Sequence, residues 1–226
     1  MTKTPKELVD RILHKEDTAD VEKSPEENEF DVTVVGEDSG GWSRKPPFLY
    51  RSMSIALSET TRADEFASIS TKYPWNTKGT KKYDELKFVA SDDDICEKVL
   101  KDISDLSPSI HISTDERFMP FLDNNDRFQA LFRDVTTDLM KTTKADNIKF
   151  IMDETPLMSA PAGKDIVEDV AAEYGKTVKY SVIKSTKSTL IQTQDFVAGA
   201  ANRSRTMGSK LINIVEKHIT NWKVEK

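Results

Sequence analysis

Leu190-Ile191-Gln192-Thr193-Gln194-Asp195-Phe196-Val197-Ala198-Gly199-Ala200-Ala201 is the stretch on which the fold turns. It reads as the start of a helix, entered through Lys184-Ser185-Thr186-Lys187-Ser188-Thr189 and continued by small residues that let the helix lie close against a sheet. Its single carboxylate, Asp195, sits in apolar company. Desolvating an unpaired carboxylate costs several kcal/mol, so a buried acid is expected beside a cation, a metal or hydrogen-bond donors. Gln192, one helical turn earlier, falls on the same face and supports a polar site.

Working backward from that helix, residues 177–183 read as a strand. Before it come a helix over 164–174 ended by Gly175, a loop from Pro156 to Gly163, and a strand from Ile148 to Met152 that ends at Asp153-Glu154. Strand, helix, strand, helix at these lengths indicates a parallel sheet. A long helix from Asn125 to Thr143 precedes it, with Phe128, Leu131, Phe132, Val135, Leu139 and Met140 as a core-facing stripe. Nearer the start, Val32, Val34 and Val35 form a strand ending at Gly36. Gly40-Gly41 turn the chain, and the alternating run Phe48 to Leu57 is a second strand, which makes an opening hairpin. Residues 58–82, with Tyr73-Pro74-Trp75 and Lys78, Lys81 and Lys82, read as a long functional or mobile loop. Leu86, Phe88 and Val89 suggest a third strand. Asp92-Asp93-Asp94 cap a helix reaching Leu106, and Ile110 and Ile112 mark a short strand before a loop carrying Pro120.

The predicted class is therefore α/β: a mixed sheet, with an N-terminal antiparallel hairpin and then parallel strands, flanked by helices. Residues 1–29 read as a peripheral helix and acidic linker, 30–207 as the domain, and 208–226 as a C-terminal helix reaching Trp222. That helix would pack on the domain or mediate self-association.

A chain of 226 residues accommodates one sizeable core with an appendage. Charged residues are 32% and hydrophobic ones 37%, with 10 Phe, 3 Trp and 5 Tyr, which excludes a disordered polymer. The lone Cys96 rules out an internal disulfide framework and suits a reducing compartment. No apolar run long enough to span a membrane and no secretory leader is read, so a cytoplasmic location is expected. The net charge of −6 argues against a general nucleic-acid coat, but it is unevenly spread. Residues 16–38 hold ten acids and one Lys, whereas 176–210 hold seven Lys or Arg and one acid, Asp195. A locally basic surface beside an acidic site can still receive phosphates.

Four segments carry a resemblance. Gln192-Thr193-Gln194-Asp195-Phe196-Val197-Ala198-Gly199-Ala200 is similar to the C-terminal signature of the domain-of-unknown-function 3800 family (DUF3800). Glu37-Asp38-Ser39-Gly40 resembles its Asp-Glu-Ser-Gly turn, Tyr83-Asp84-Glu85-Leu86-Lys87 its Glu-x-Lys element, and Phe150-Ile151-Met152-Asp153-Glu154 its strand ending in an acid. The matches keep the family's order over roughly residues 30 to 205. The resemblance implies a ribonuclease H-like fold and metal-dependent nuclease chemistry. In an ungapped match the family's first Asp falls at Glu37 and its Glu at Asp38, so either acid is a candidate.

The candidate catalytic and metal-binding acids are Asp38 or Glu37, Glu85, Asp153 and Asp195. If they meet at the carboxyl ends of the strands, where open sheets bind ligands, their repulsion calls for cations. Mg²⁺ or Mn²⁺ suits oxygen donors, and two ions about 4 Å apart would serve phosphodiester hydrolysis. Lys187, Lys184 and Gln192 are the candidate substrate contacts, with Arg203 and Arg205 extending a basic strip. Each has a plainer reading: an exposed turn for residues 37–41, a strand end for Asp153, a surface ion pair for Glu85, a buried Lys or Arg partner for Asp195, and solvated surface for the basic residues. Stacking on bases is open to Trp42, Tyr73 and Trp75, with core packing the alternative. His14, His111 and His218 are scattered, and no zinc spacing, Walker loop or dinucleotide fingerprint occurs. The expected function is a divalent-metal nuclease acting on nucleic acid. The alternative is a non-catalytic module that binds nucleic acid or a protein partner through the N-terminal arm or the C-terminal helix.

Overall fold

The computed structural model describes residues 30–40, 52–73, 85–116 and 124–226. The expected helix over residues 1–15, the acidic linker, and the residues Trp42, Trp75 and Lys78 to Lys82 lie outside them.

Six strands form one mixed sheet. In chain order the elements are β1 (Val32–Gly40), β2 (Met53–Thr60), α1 (Ala63–Ile69), α2 (Asp93–Leu106), β3 (Ser109–Asp115), α3 (Asn124–Thr142), β4 (Asn147–Asp153), α4 (Ala160–Glu173), β5 (Thr177–Ile183), α5 (Thr189–Met207) and β6 (Ile219–Glu225). The strand order is β5-β4-β1-β2-β3-β6. β1, β2 and β3 are antiparallel neighbours, while β4 runs parallel to β1, β5 to β4 and β6 to β3. The predicted mixed sheet, opening hairpin and later parallel strands are all present.

The side-chain period of two sends alternate residues to two cores. Val34, Ile55, Leu57, Phe150 and Met152 pack under α3 and α4, with the predicted stripe of Phe128, Leu131, Phe132, Val135, Leu139 and Met140. Val35, Ala56, Ile112 and Ile151 face the other way, against α1, α2 and α5. Helix α5 lies on β1 and β2, and its small residues explain how. At Gly199 a Cβ would run into the Phe88 ring, so the helix seats only where that side chain is missing.

Three expectations are corrected. Residues 58–82 are not one loop: β2 extends to Thr60, and α1 follows with Phe66 and Ile69 buried in the core. Leu86, Phe88 and Val89 form no strand. Leu86 and Phe88 are buried, Val89 is exposed, and Phe88–Ala90 is a 3₁₀ turn. The C-terminal helix is absent as well. Gly208, at φ 67°, ends α5 in the left-handed region, and 3₁₀ turns at Leu211–Ile214 and Glu216–His218 lead into β6. Leu211, Ile212 and Val215 are buried in the same core as α5, and the Trp222 indole Nε1 donates to Thr114 Oγ1 at 3.1 Å. This tail completes the sheet and presents no free helix to a partner.

Candidate carboxylate centre

The parity of β1 separates Glu37 from Asp38. The strand does not stop at Gly36 but continues to Gly40, so alternation carries on through the acids. Val35 faces α5, hence so does Glu37 two residues later. Val34 faces α3 and α4, and Asp38 shares that side, where it is hydrogen-bonded to the Thr155 side chain. On β4, Ile151 faces α5 and Asp153 follows it. The parallel register pairs Gly36 with Met152, which leaves Glu37 and Asp153 side by side at the carboxyl ends of adjacent central strands.

Asp195 meets them from α5. Its Oδ2 accepts the Phe88 backbone N–H at 2.8 Å, which ties the helix to the 85–91 segment. Asp153 Oδ1 accepts the Ser185 N–H, also at 2.8 Å, and Gln192 Nε2 donates to the Ser185 carbonyl at 2.9 Å. Gln192 therefore fixes the turn that holds Asp153. Glu85 is buried at 7% exposure, and Lys87 reaches in beside it, its Nζ 3.6 Å from Glu85 Oε1 and donating to Ser185 Oγ at 3.1 Å. Four chain segments thus converge: the ends of β1 and β4, the second turn of α5, and the stretch from Glu85 to Phe88.

The electrostatics follow from crowding. Burial pushes Glu37 well above the ordinary carboxylate range, and the nearby Asp195 and Asp153 push it further. A side-chain hydrogen bond with Glu37 works the other way on Asp153 and lowers it. Burial also raises Asp153 and Asp195, each opposed chiefly by Lys87 and then by backbone N–H donors. For Lys87, burial alone would lower the pKa. Asp195, Glu37, Glu85 and Asp153 outweigh that and leave it raised. Asp38 is lifted to about 6 by burial and by Asp153. Glu37 Oε2 and Glu85 Oε2 are buried with no hydrogen-bond partner among the described residues.

The basic candidates are placed differently. Lys184 Nζ pairs with Glu154 Oε2 at 3.1 Å on the surface, while Lys187 is exposed in the 3₁₀ turn that leads into α5. Arg203 and Arg205 do not extend an open basic strip. Arg203 binds Asp93 at 2.7 Å and Arg205 binds Glu116 at 2.6 Å, pinning the end of α5 to the start of α2 and the end of β3. Tyr73 donates to Asp102 Oδ2 at 3.0 Å, which commits its hydroxyl to α2. Lys87, Ser185 and Thr155 were not singled out from sequence as site residues. For Lys87 a signal existed, because Glu85 and Lys87 stand two apart in an extended segment and so point the same way.

All the acids are hard oxygen donors, and the two orphaned carboxylate oxygens are ones that a cation would satisfy, so the residue types fit Mg²⁺ or Mn²⁺. In the present arrangement, however, no three Asp, Glu, His or Cys side chains among the described residues are grouped to hold an ion.

Comparison with solved structures places the fold. A chain from the structure of the PCNA:RNase HII complex from Archaeoglobus fulgidus is similar at a TM-score of 0.50 and 12% identity, over 79% of this chain and 76% of that one. The crystal structure of ribonuclease H2 from Pyrococcus horikoshii OT3 gives a TM-score of 0.50 and 12% identity, over 78% and 75%. The fold is ribonuclease H-like. No family model and no curated protein matches the chain. Among the described residues no helix is long and apolar enough to cross a membrane.

Proposed function

We propose that this is a divalent-metal-dependent nuclease of the DUF3800 type that hydrolyses nucleic-acid phosphodiesters. The observation that carries the reading is that Glu37, Glu85, Asp153 and Asp195, from four segments, act on one another and on Lys87 near the carboxyl ends of β1 and β4. Acids brought together against their own repulsion, on a fold shared with ribonucleases, are best explained by cationic chemistry. Glu37, Glu85, Asp153 and Asp195 would hold Mg²⁺ or Mn²⁺, which supplies an activated water and neutralises charge on the leaving oxygen. Within the chain, the Ser185 and Phe88 N–H groups orient Asp153 and Asp195, Gln192 steadies the Ser185 turn, and exposed Lys187 would contact a flanking phosphate. Asp38, on the opposite face, orients the strand end through Thr155.

The test is cleavage of labelled single-stranded, duplex and hybrid DNA and RNA with Mn²⁺ or Mg²⁺. Cleavage by the wild type and background levels for Asp153→Asn and Asp195→Asn are expected; equal cleavage by all three proteins would refute the assignment. A second reading, a non-catalytic module that binds nucleic acid or a protein partner, is favoured by the ammonium of Lys87 already lodged among the acids. Nucleic-acid binding with no cleavage under any ion would select it.

A further inference from the structure

We infer that Lys87 is the resident counter-ion of the carboxylate cluster and that a divalent cation enters by taking the place of its ammonium, so that Lys87 sets how tightly the site holds a metal. This rests on the reading of the cluster as a metal centre.

The placement of Lys87 carries the argument. Its side chain is only 19% exposed, and its Nζ stands beside Glu85 Oε1 and Ser185 Oγ. The same charge acts on Glu37, Asp38, Asp153 and Asp195. One ammonium set against Glu37, Glu85, Asp153 and Asp195 leaves an excess of negative charge. Consistent with it, Glu37 Oε2 and Glu85 Oε2 are both buried and meet no donor among the described residues. A doubly charged ion offsets more of that repulsion than the single charge it replaces. The acids are drawn toward an ammonium, which accounts for a set of suitable ligands that is not yet grouped around a metal position.

The exchange requires little of the backbone. Phe88, the next residue, is held by its N–H on Asp195 and by its ring against Gly199 and, edge to face, against Phe196. The main chain of Lys87 therefore stays where it is. Its four-carbon stem, with an end that touches solvent, rotates outward and leaves the charge at the mouth of the cluster. Ser185 loses one donor, and its hydroxyl is free to take another.

The experiment is calorimetric titration of the full chain with Mn²⁺, beside Lys87→Met, Lys87→Gln and the surface control Lys164→Met, whose ammonium pairs with Glu168 one helical turn away. Removing the competing charge is expected to tighten Mn²⁺ binding about tenfold or more in both Lys87 variants. Mn²⁺ should also raise their melting temperature by more than that of the wild type, with Lys164→Met unchanged. Wild-type binding that is equalled or weakened in the Lys87 variants overturns the exchange and leaves the metal centre standing. Absence of Mn²⁺ binding in every protein overturns the metal centre and the exchange with it. Lys87→Gln keeps a polar end for Ser185, so it supplies the comparison if Lys87→Met does not fold.

Discussion

Glu37 and Asp38 are neighbours that the strand sends to opposite faces, and their substitution effects should differ in kind. Glu37→Gln removes an acid from the α5 side, so Mn²⁺ is expected to lose most of its stabilising effect on melting. Asp38→Asn should retain it, because Asp38 sits with Thr155 on the far side of the sheet. The opposite pattern in a thermal melt would put Asp38 in the metal set. His111, fully buried on β3, makes a separate prediction about pH. Burial lowers its pKa to about 4, and its Nδ1 has no partner among the described residues, so it folds as a neutral ring. The unfolded chain takes up a proton near pH 6.5 and the folded one does not. Stability is therefore intact above about 6.5 and falls by about 3 kcal/mol as pH drops toward 4. Asp38, raised to about 6, works in the reverse direction in the same window, since its stability contribution is present at low pH and lost as pH rises. The wild-type curve thus mixes the histidine with Asp38 and the other raised acids, Glu37, Asp153 and Asp195. The difference between wild type and His111→Gln in urea melts from pH 4 to 7 isolates the histidine, and parallel curves would contradict its neutral burial.

Helix α5 and the segments that touch it show how far pattern reading reaches. Its apolar face, its lone acid and its small residues were legible, and Asp195 does meet buried partners. The predicted strand over 177–183 and the helix ended by Gly175 match β5 and α4 closely, because period and stop signal agree there. The end of β1 was misjudged because Gly36 reads as a breaker. In fact it allows Met152 and Leu57 to close over the strand, where a side chain would collide with both. Had Val35 and Glu37 been read as one alternating face, the placement of Glu37 on the α5 side would have followed. The tail misleads for a different reason. Leu211, Ile212, Val215, Ile219 and Trp222 fall at helical spacing, yet they are distributed over two 3₁₀ turns and a strand whose own period shows in Thr220, Trp222 and Val224. The pairing of Arg203 and Arg205 with acids some ninety or more residues distant in sequence has no local signature at all. One contact made by α5 is directly testable. Gly199→Ala drives a methyl group into the Phe88 ring and is expected to destabilise by roughly 1–3 kcal/mol in urea unfolding. Because the same ring anchors the residue after Lys87, the variant should also bind Mn²⁺ more weakly; unchanged stability would mean the helix shifts freely.

Seen as one molecule, the sheet is built from distant parts. β1 pairs with β4 across more than a hundred residues of chain, and β3 takes β6 from about as far. Removing residues 208–226 strips β3 of a neighbour and the α5 core of Leu211, Ile212 and Val215. Such a truncation is expected to abolish cooperative unfolding in a urea titration rather than trim an appendage, and a sharp native-like transition would show the tail to be dispensable. The late arrival of β6 has a consequence for synthesis. While the hundred or so residues after β3 are still being added, that strand carries an unpaired row of N–H and C=O groups, with Ile110 and Ile112 beside it. The nascent chain should therefore need a chaperone, and fragments that stop short of Ile219 should associate through the β3 edge.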